Sequence, residues 1–547
     1  MSARAPKRQW STAVPLVAAA FAHAIALRNG FVLDDFSLLV NNPYVRTFAG
    51  LKELLRSSLF AAAGDPMKTD YYRPAASALN WLSWQLFKSG HAGQHGLNVA
   101  LHVGVTALIF DVMQKSNVRR DVALVVATLF AIHPATADIV AYVGGRQDML
   151  GWLFVLGGLR FLLTTKRLAA CAAIGALAMA LGTFSREAFL AIAATLPFAA
   201  AFRPSDGTLD RNRGLATAAG CGVGFGIVSL ARSAVNVHWN QPGQPHGVGD
   251  WIEAAGGFLA RMLKDLLAPT DLAVDLDTPK LGVPLALVLL VLFVASMPLA
   301  WRALGKDLEN RRPLLVFGHL SLFATVVIHT PVALRFGFIS DRYAYPFVAS
   351  AALALAPLAE RATGSLAKKL EASPLLRILP KVPWLVVVAL IPLTWSRVAS
   401  WHDESALQRD MYAVRPDDPH SKLAEGSRLL ANGEAEKALP LCQAYADRYP
   451  RSSRPELCVG LALRQLGRTK EAGPHLTRYA KDHLGNLDAR MAAIDTMFLA
   501  GDLDGVDRTL SQWESEDEGG AALAKEPDMI AARKELARRR GLPPQKQ

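Results

Sequence analysis

Residues 281–300 read LGVPLALVLLVLFVASMPLA and contain no charged side chain. A helix needs about 20 such residues to cross a hydrocarbon layer, because each adds roughly 1.5 Å along the axis. Outward from this run, apolar cores recur at 11–27, 97–113, 121–134, 149–164, 168–183, 187–202 and 214–231, then at 313–331, 344–359 and 382–399. The reading is of about eleven membrane spans, the third of them short. Composition agrees: 51% of the 547 residues are hydrophobic and 19% are charged, less charge than a soluble chain of this size carries.

The loops set the orientation. Lys and Arg collect on alternate connections: Arg4, Lys7 and Arg8; Lys115, Arg119 and Arg120; Lys166 and Arg167; Arg203, Arg211 and Arg213. The same side receives Arg302, Lys306, Arg311 and Arg312, then Arg361, Lys368, Lys369, Arg377 and Lys381. By the positive-inside rule this side is cytoplasmic, and an odd number of spans puts the C-terminal region on the other. The net charge of +12 follows these clusters; no basic face or binding motif points to nucleic acid. The opposite side holds two long loops, 28–94 and 232–280. Each contains an amphipathic stretch, Leu51–Leu55 or Trp251–Leu267, suited to lying in the membrane interface. Arg4, Lys7 and Arg8 before a short apolar run ending near Ala22-His23-Ala24 also fit a cleaved signal peptide, which would leave every later loop on the same side.

From about residue 418 the composition turns soluble and a repeat emerges. Gly433, Gly467 and Gly501 are 34 residues apart, and Ala438, Ala472 and Val506 each follow five positions later. This is the tetratricopeptide period, a helix–turn–helix unit with small residues where its helices cross. Pro450 and Gly460 fit the same frame, and a basic helix near 528–540 would cap the stack. An unrelated helical bundle is the alternative. The chain thus divides into a membrane domain, 1–400, and a repeat domain, 401–547. Cys171 and Cys221 lie in spans, where a small apolar role is the default. Cys442 and Cys458 fall on successive repeat helices, either bridged or as two buried thiols. No Cys/His spacing resembles a zinc site.

Polar residues cluster at the outer ends of the spans. Phe31-Val32-Leu33-Asp34-Asp35 opens the first outer loop, and two carboxylates beside hydrocarbon are costly enough to demand a role. One can deprotonate an acceptor hydroxyl while the other holds a partner or tunes it; a helix cap or turn would use Asp as well. Arg73, in Tyr71-Tyr72-Arg73-Pro74, offers a fork of donors suited to a phosphate or to lipid headgroups. His102 lies inside the second span, where a hydrogen-bonded structural role competes with a catalytic one. The turn from His133-Pro134 through Asp138, Tyr142, Gly144, Gly145 and Arg146 to Asp148 is more polar than a connector needs. Ser185-Arg186-Glu187 and Ser340-Asp341-Arg342-Tyr343 sit at further outer ends, as boundary anchors or as parts of a site. All the acidic clusters share one face, so convergence on a single outer site is the economical inference.

In this order, Leu33-Asp34-Asp35, Tyr72-Arg73-Pro74, His133-Pro134, Gly145-Arg146-Gln147-Asp148, Arg186-Glu187 and Asp341-Arg342-Tyr343 resemble the transmembrane and tetratricopeptide-repeat O-mannosyltransferases. These belong with the GT-C-fold glycosyltransferases, and the resemblance covers nearly the whole chain. It implies an all-α fold, a GT-C-like transmembrane bundle followed by a tetratricopeptide α-solenoid. It also implies an inverting glycosyltransferase that uses a polyprenyl-phosphate-linked sugar, such as mannose. The implied acceptor is a hydroxyl outside the cytoplasm, such as a protein Ser or Thr, with the repeats available to recruit it.

Residue by residue, Asp34 matches the family's first acidic position, the implied general base, with Asp35 in support. Asp138 matches the second acidic position, where Glu is more usual. Arg342 follows Asp341, again where Glu is usual, and is the implied ligand of the donor phosphate. Arg186 replaces the common Lys before Glu187, and Leu33 replaces the common aromatic before the Asp pair. The implied substrate-binding set adds Arg73, His102, His133, Arg146, Arg186, Glu187 and Tyr343. No cofactor is implied. A lipid phosphate leaves readily without a metal, although an Asp pair can bind one. The implied location is a bacterial inner membrane, with site and repeats facing the periplasm. Two other classes compete: a membrane-anchored repeat scaffold without chemistry, and a transporter for a lipid-linked sugar. A scaffold has no need of this outer charged set, and a transporter would place charge near mid-membrane.

Overall fold

Apolar runs bounded by Gly, Pro and charge dictate helices, and the computed structural model is built almost entirely of them. It describes residues 7–60, 71–203, 205–237, 246–370, 382–450, 452–483, 487–515 and 526–541. Arg4, Arg377 and Lys381, counted above for topology, lie outside these. The described residues up to Leu407 form one compact unit and those from Gln408 a second.

In the first unit, α1 (Lys7–His23), α2 (Phe48–Arg56) and α3 (Pro74–Phe87) precede α4 (His91–Lys115). α5 (Arg120–Ala131) and the short α6 (Ala137–Ala141) lead to α7 (Arg146–Leu162) and α8 (Leu168–Ser185). Next come α9 (Phe189–Ala193), α10 (Leu196–Ala200), α11 (Arg211–Ala234) and α12 (Val248–Leu267). α13 (Val283–Leu304), α14 (Arg312–Phe336), α15 (Ala344–Leu370) and α16 (Val382–Ser400) follow, and the division between the units falls within α17 (Glu404–Val414).

All eleven apolar runs are helical. Among the described residues, six helices are long and apolar enough to cross a membrane singly, and a seventh span results if the pair α5–α6 is one bent crossing. Proline accounts for two of the runs that fall short. The chain bends by 54° between α5 and the segment that Pro134 opens, and Pro197 lies in the first turn of α10 after α9 has stopped; a proline ring removes an N–H and clashes with the carbonyl four residues earlier. The chain is a multi-pass membrane protein. Its outward faces fit that solvent, with Leu285, Leu292 and Val294 of α13 exposed. Inside, α8 and α11 meet on small residues: a Cβ at Gly220 would lie 1.9 Å from the Ala172 carbonyl oxygen.

The amphipathic α12 buries Phe258, Leu259 and Met262 against the bundle and leaves Trp251 exposed. After it, β1 (Leu276–Asp277) pairs antiparallel with β2 (Phe338–Ile339), Leu276 opposite Ile339. This two-stranded clip fixes the loop after α12 beside the segment that carries Arg342.

The second unit continues α18 (Pro419–Ala431), α19 (Ala435–Arg448), α20 (Arg454–Gln465), α21 (Thr469–Asp482), α22 (Leu487–Ala500), α23 (Leu503–Glu514) and α24 (Pro527–Arg539). These stack as helical hairpins. Gly433, Gly467 and Gly501 end the first helix of each hairpin at φ 82°, 75° and 74°, a left-handed turn that favours glycine. Ala438, Ala472 and Val506 are fully buried at the crossings. Cys442 and Cys458 are bridged, with Cα atoms 5.9 Å apart, which decides between the two readings of that pair. α24 covers the end of the stack, burying Met529 and Leu536 and pairing Arg533 with Asp507 and Glu514.

Candidate active site

The Asp34-Asp35 turn hangs from the end of α16. Gly30 N–H donates to the His402 carbonyl (2.7 Å) and Asn29 Nδ2 to the Val398 carbonyl (3.0 Å). Leu33 takes φ 50°, strained for a side chain of its type, and its N–H donates to Glu404 Oε2 at 3.0 Å. The two carboxylates consequently have different surroundings. Asp35 is fully buried and accepts from the Val32 N–H (3.1 Å) and the Gly144 N–H (2.8 Å). Burial pushes its pKa up to about 7, against the lowering pull of those two N–H groups and Arg146 and with a further push from Asp34. Asp34 is exposed, and its Oδ2 accepts from the Tyr142 O–H at 2.9 Å. Among the described residues no donor reaches Asp34 Oδ1.

Tyr142 joins that carboxylate to an arginine. The Arg342 guanidinium lies 5.4 Å from the Tyr142 ring centroid, and Trp401 flanks the same ring at 5.6 Å. Arg342 donates to Ser340 Oγ (3.0 Å) and lies 3.5 Å from Asp275 Oδ1. Burial opposes its charge, but Asp275, Tyr142, Tyr343 and Asp34 hold its pKa above the ordinary value. Burial, then Asp34 and Asp35, raise the Tyr142 hydroxyl well above its usual range, so it stays a proton donor.

A second basic group adjoins through Tyr343. Arg186 pairs with Asp148 and lies 5.5 Å over the Tyr343 ring. Arg73 Nε donates to Glu187 Oε2 at 2.7 Å, its other arm reaches Gln147 Oε1 at 2.5 Å, and its guanidinium lies 4.7 Å from the Tyr71 ring. Glu187 also accepts from the Tyr72 N–H (3.1 Å) and lies 3.6 Å from Arg232. Asp34, Arg342, Tyr343, Arg186, Arg73 and Glu187 therefore fall along one connected polar face.

The other sequence-derived candidates point inward. Asp138 accepts two hydrogen bonds from Arg397 (2.5 and 2.8 Å) and one from Trp401 Nε1 (2.9 Å). It meets Tyr142, the partner of Asp34, through Trp401 and through its own carbonyl, which accepts from the Tyr142 N–H at 3.2 Å. His102 bonds the Tyr345 hydroxyl (3.0 Å) and the Ala131 carbonyl (2.9 Å). His133 Nδ1 accepts from the Ala135 N–H and its Nε2 meets the Leu266 carbonyl at 3.1 Å. Arg146 is fully buried, with all three guanidinium nitrogens donating, to Asn98, Ser83 and Gln94.

Sequence reasoning gave no site role to Tyr142, Asp275, Arg261, Arg397 or Trp401. Arg261 clamps Asp341 through two bonds (2.8 and 2.5 Å), and Asp341 in turn accepts from the Ala273 N–H at 2.5 Å. Asp341 is thus the peg that sets the Arg342 segment. A charge on the buried face of the amphipathic 251–267 stretch was the available signal for Arg261. As for a metal, Asp34 faces a phenol and lies within the field of Arg342, which would repel a cation.

No protein-family model matches the chain, and no solved structure matches it. Curated proteins do. Protein O-mannosyl-transferase F38B6.6 of Caenorhabditis elegans is 28% identical over 137 residues, 24% of this chain and 20% of the relative. Protein O-mannosyl-transferase TMTC1 of Mus musculus is 34% identical over 134 residues, 24% of this chain and 14% of the relative. Protein O-mannosyl-transferase TMTC3 of Mus musculus is 30% identical over 141 residues, 25% of this chain and 15% of the relative. The matched stretch spans a fifth or less of each of these relatives. Over about a quarter of its length, then, the homologues of this chain are TMTC-type protein O-mannosyl-transferases.

Proposed function

We propose that this chain is an inverting GT-C-type glycosyltransferase that moves a sugar, mannose in the first instance, from polyprenyl phosphate to a protein Ser or Thr hydroxyl. One observation carries this reading: an exposed carboxylate with a free oxygen, Asp34, is tied through Tyr142 to a guanidinium, Arg342. The acceptor oxygen attacks the anomeric carbon as the carbon–oxygen bond to the lipid phosphate breaks, through an oxocarbenium-like state. Asp34 Oδ1 takes the hydroxyl proton. Arg342 meets the charge gathering on the departing phosphate, and Arg186 with Arg73 extends the basic wall. Asp35 holds the turn, Asp138 supports it through Trp401, and no metal takes part.

The repeats are read as tetratricopeptide units that recruit the acceptor. Site and repeats face the periplasm of a bacterial inner membrane; the basic clusters on alternate loops and the Cys442–Cys458 bridge, which belongs to an oxidising compartment, support that side. The test is transfer by purified protein from polyprenyl-phosphate mannose to Ser/Thr peptides, followed by glycopeptide mass analysis. Asp34→Asn keeps size and polarity but cannot take the proton, and should lower turnover by about 100-fold or more. Near-normal turnover in Asp34→Asn would remove the base assignment. No transfer by the wild-type protein from any polyprenyl-phosphate sugar would favour the scaffold reading.

A further inference from the structure

The repeat unit contains a groove of about 640 Å³ between α21 and α23, within the roughly 300–1,000 Å³ typical of ligand pockets. Gly473 lies in its wall at mid-helix, where glycine weakens a helix relative to alanine. A Cβ there would meet nothing within 4 Å, so the glycine leaves the groove open and is not demanded by packing.

The charge in this groove is unbalanced. Lys470 and Lys481 from α21 and Arg508 from α23 are exposed, and among the described residues they enter no ion pair. Several other cations of the unit are matched, among them Arg428 with Glu425, Arg468 with Glu471 and Arg540 with Asp507. A fourth lining cation, Arg478, is bonded to Glu456, and the acid in the lining, Asp502, accepts from the Gly505 N–H. From Gln408 onward the chain carries equal numbers of acidic and basic residues. The free cations are therefore a local excess in a neutral unit.

We propose that this groove binds an acidic, extended polypeptide segment. The cations come from two helices around a concavity, whereas a bilayer surface would call for one flat basic face. No aromatic ring lines the groove, so bases would have nothing to stack on. A peptide backbone fits between stacked repeats, its carboxylates meeting Lys470, Lys481 and Arg508. The inference does not depend on the transfer reaction.

The experiment uses the full chain in detergent micelles and a fluorescein-labelled peptide of alternating Glu and Ser, with the corresponding Gln peptide as control. The acidic peptide should bind about tenfold tighter than the Gln peptide, and less tightly as salt rises. Joint replacement Lys470→Glu, Lys481→Glu and Arg508→Glu should lower its affinity about tenfold or more, while Lys534→Glu on α24 leaves it unchanged. If the triple Glu protein melts early, the triple Gln version is read instead, with a loss of about threefold. Equal binding of the two peptides, unaltered binding by the triple variant, or equal loss in Lys534→Glu would overturn the proposal. So would binding to phosphatidylglycerol vesicles that depends on these three cations when peptide binding does not.

Discussion

The knot around Arg146 and the corner around Arg342 both grow from polar turns at the ends of apolar helices, and they are built to opposite ends. Arg146 is fully buried and spends every guanidinium nitrogen on neighbours within the bundle. Arg342 has a serine, a ring and an aspartate at 3.5 Å, and it adjoins an exposed carboxylate with an unused oxygen. Saturation marks a group that holds the fold; unspent donors and acceptors mark one that can meet a substrate. The comparison breaks most visibly at Arg146. Arg146→Met leaves Asn98, Ser83 and Gln94 without their donor, and should cost about 3–5 kcal/mol of stability. Thermal unfolding in detergent checks this, and an undisturbed melt would mean that the knot is not structural.

The sequence separated these regions only in part. Helical runs, the 34-residue period and the outer clusters were legible because periodicity and charge are local properties. Saturation is not local. Arg146 and Arg342 look alike as polar residues at span ends, and nothing near Arg146 in the chain announces that Ser83 and Gln94 will fold around it. Tyr142 was visible as part of a polar turn, but its bond to Asp34 spans 108 positions. Arg261 and Asp341 are likewise joined over 80 positions. The breaks at Pro134 and Pro197 were readable in principle, since proline interrupts a helix wherever it falls.

The Arg342 side of the comparison is sharpened by kinetics. Arg342→Ala should leave the melt near that of the wild type and weaken use of the lipid-phosphate donor. A charge-assisted contact of about 1.5–3 kcal/mol corresponds to about a 10- to 150-fold loss in kcat/KM for the donor. The acceptor response should change less. An unchanged donor response would move the phosphate site to Arg186 or Arg73.

Asp34 and Asp35 repeat the contrast between adjacent residues, and pH separates them. Folding raises the Asp35 pKa from 3.8 to about 7, chiefly by burial. Between those values the unfolded chain has released a proton that the folded chain keeps. Stability should therefore fall as pH rises from about 4 to 7, by up to about 1.4 kcal/mol per pH unit, and level off above. Asp35→Asn should remove this slope whatever it does to the absolute stability. Denaturant melts at several pH values decide it; a slope that persists in Asp35→Asn belongs to other groups.

The smallest expected effect falls on Tyr142, where the two sides of the corner meet. Its O–H donates to Asp34 Oδ2 and its ring lies beneath Arg342. Tyr142→Phe removes the hydrogen bond and keeps the ring. Because Asp34 is exposed, water can replace the lost donor, so the net loss should be about 1 kcal/mol, roughly fivefold in kcat. The donor KM should stay within about twofold, since the ring beneath Arg342 remains. Tyr142→Leu removes both features and should add a rise in donor KM to the loss in kcat. That split separates positioning from general damage to the fold, which would move both constants in Tyr142→Phe as well. If Tyr142→Phe raises donor KM as much as Tyr142→Leu does, the hydroxyl and not the ring supports Arg342. The link between carboxylate and guanidinium would then need to be redrawn.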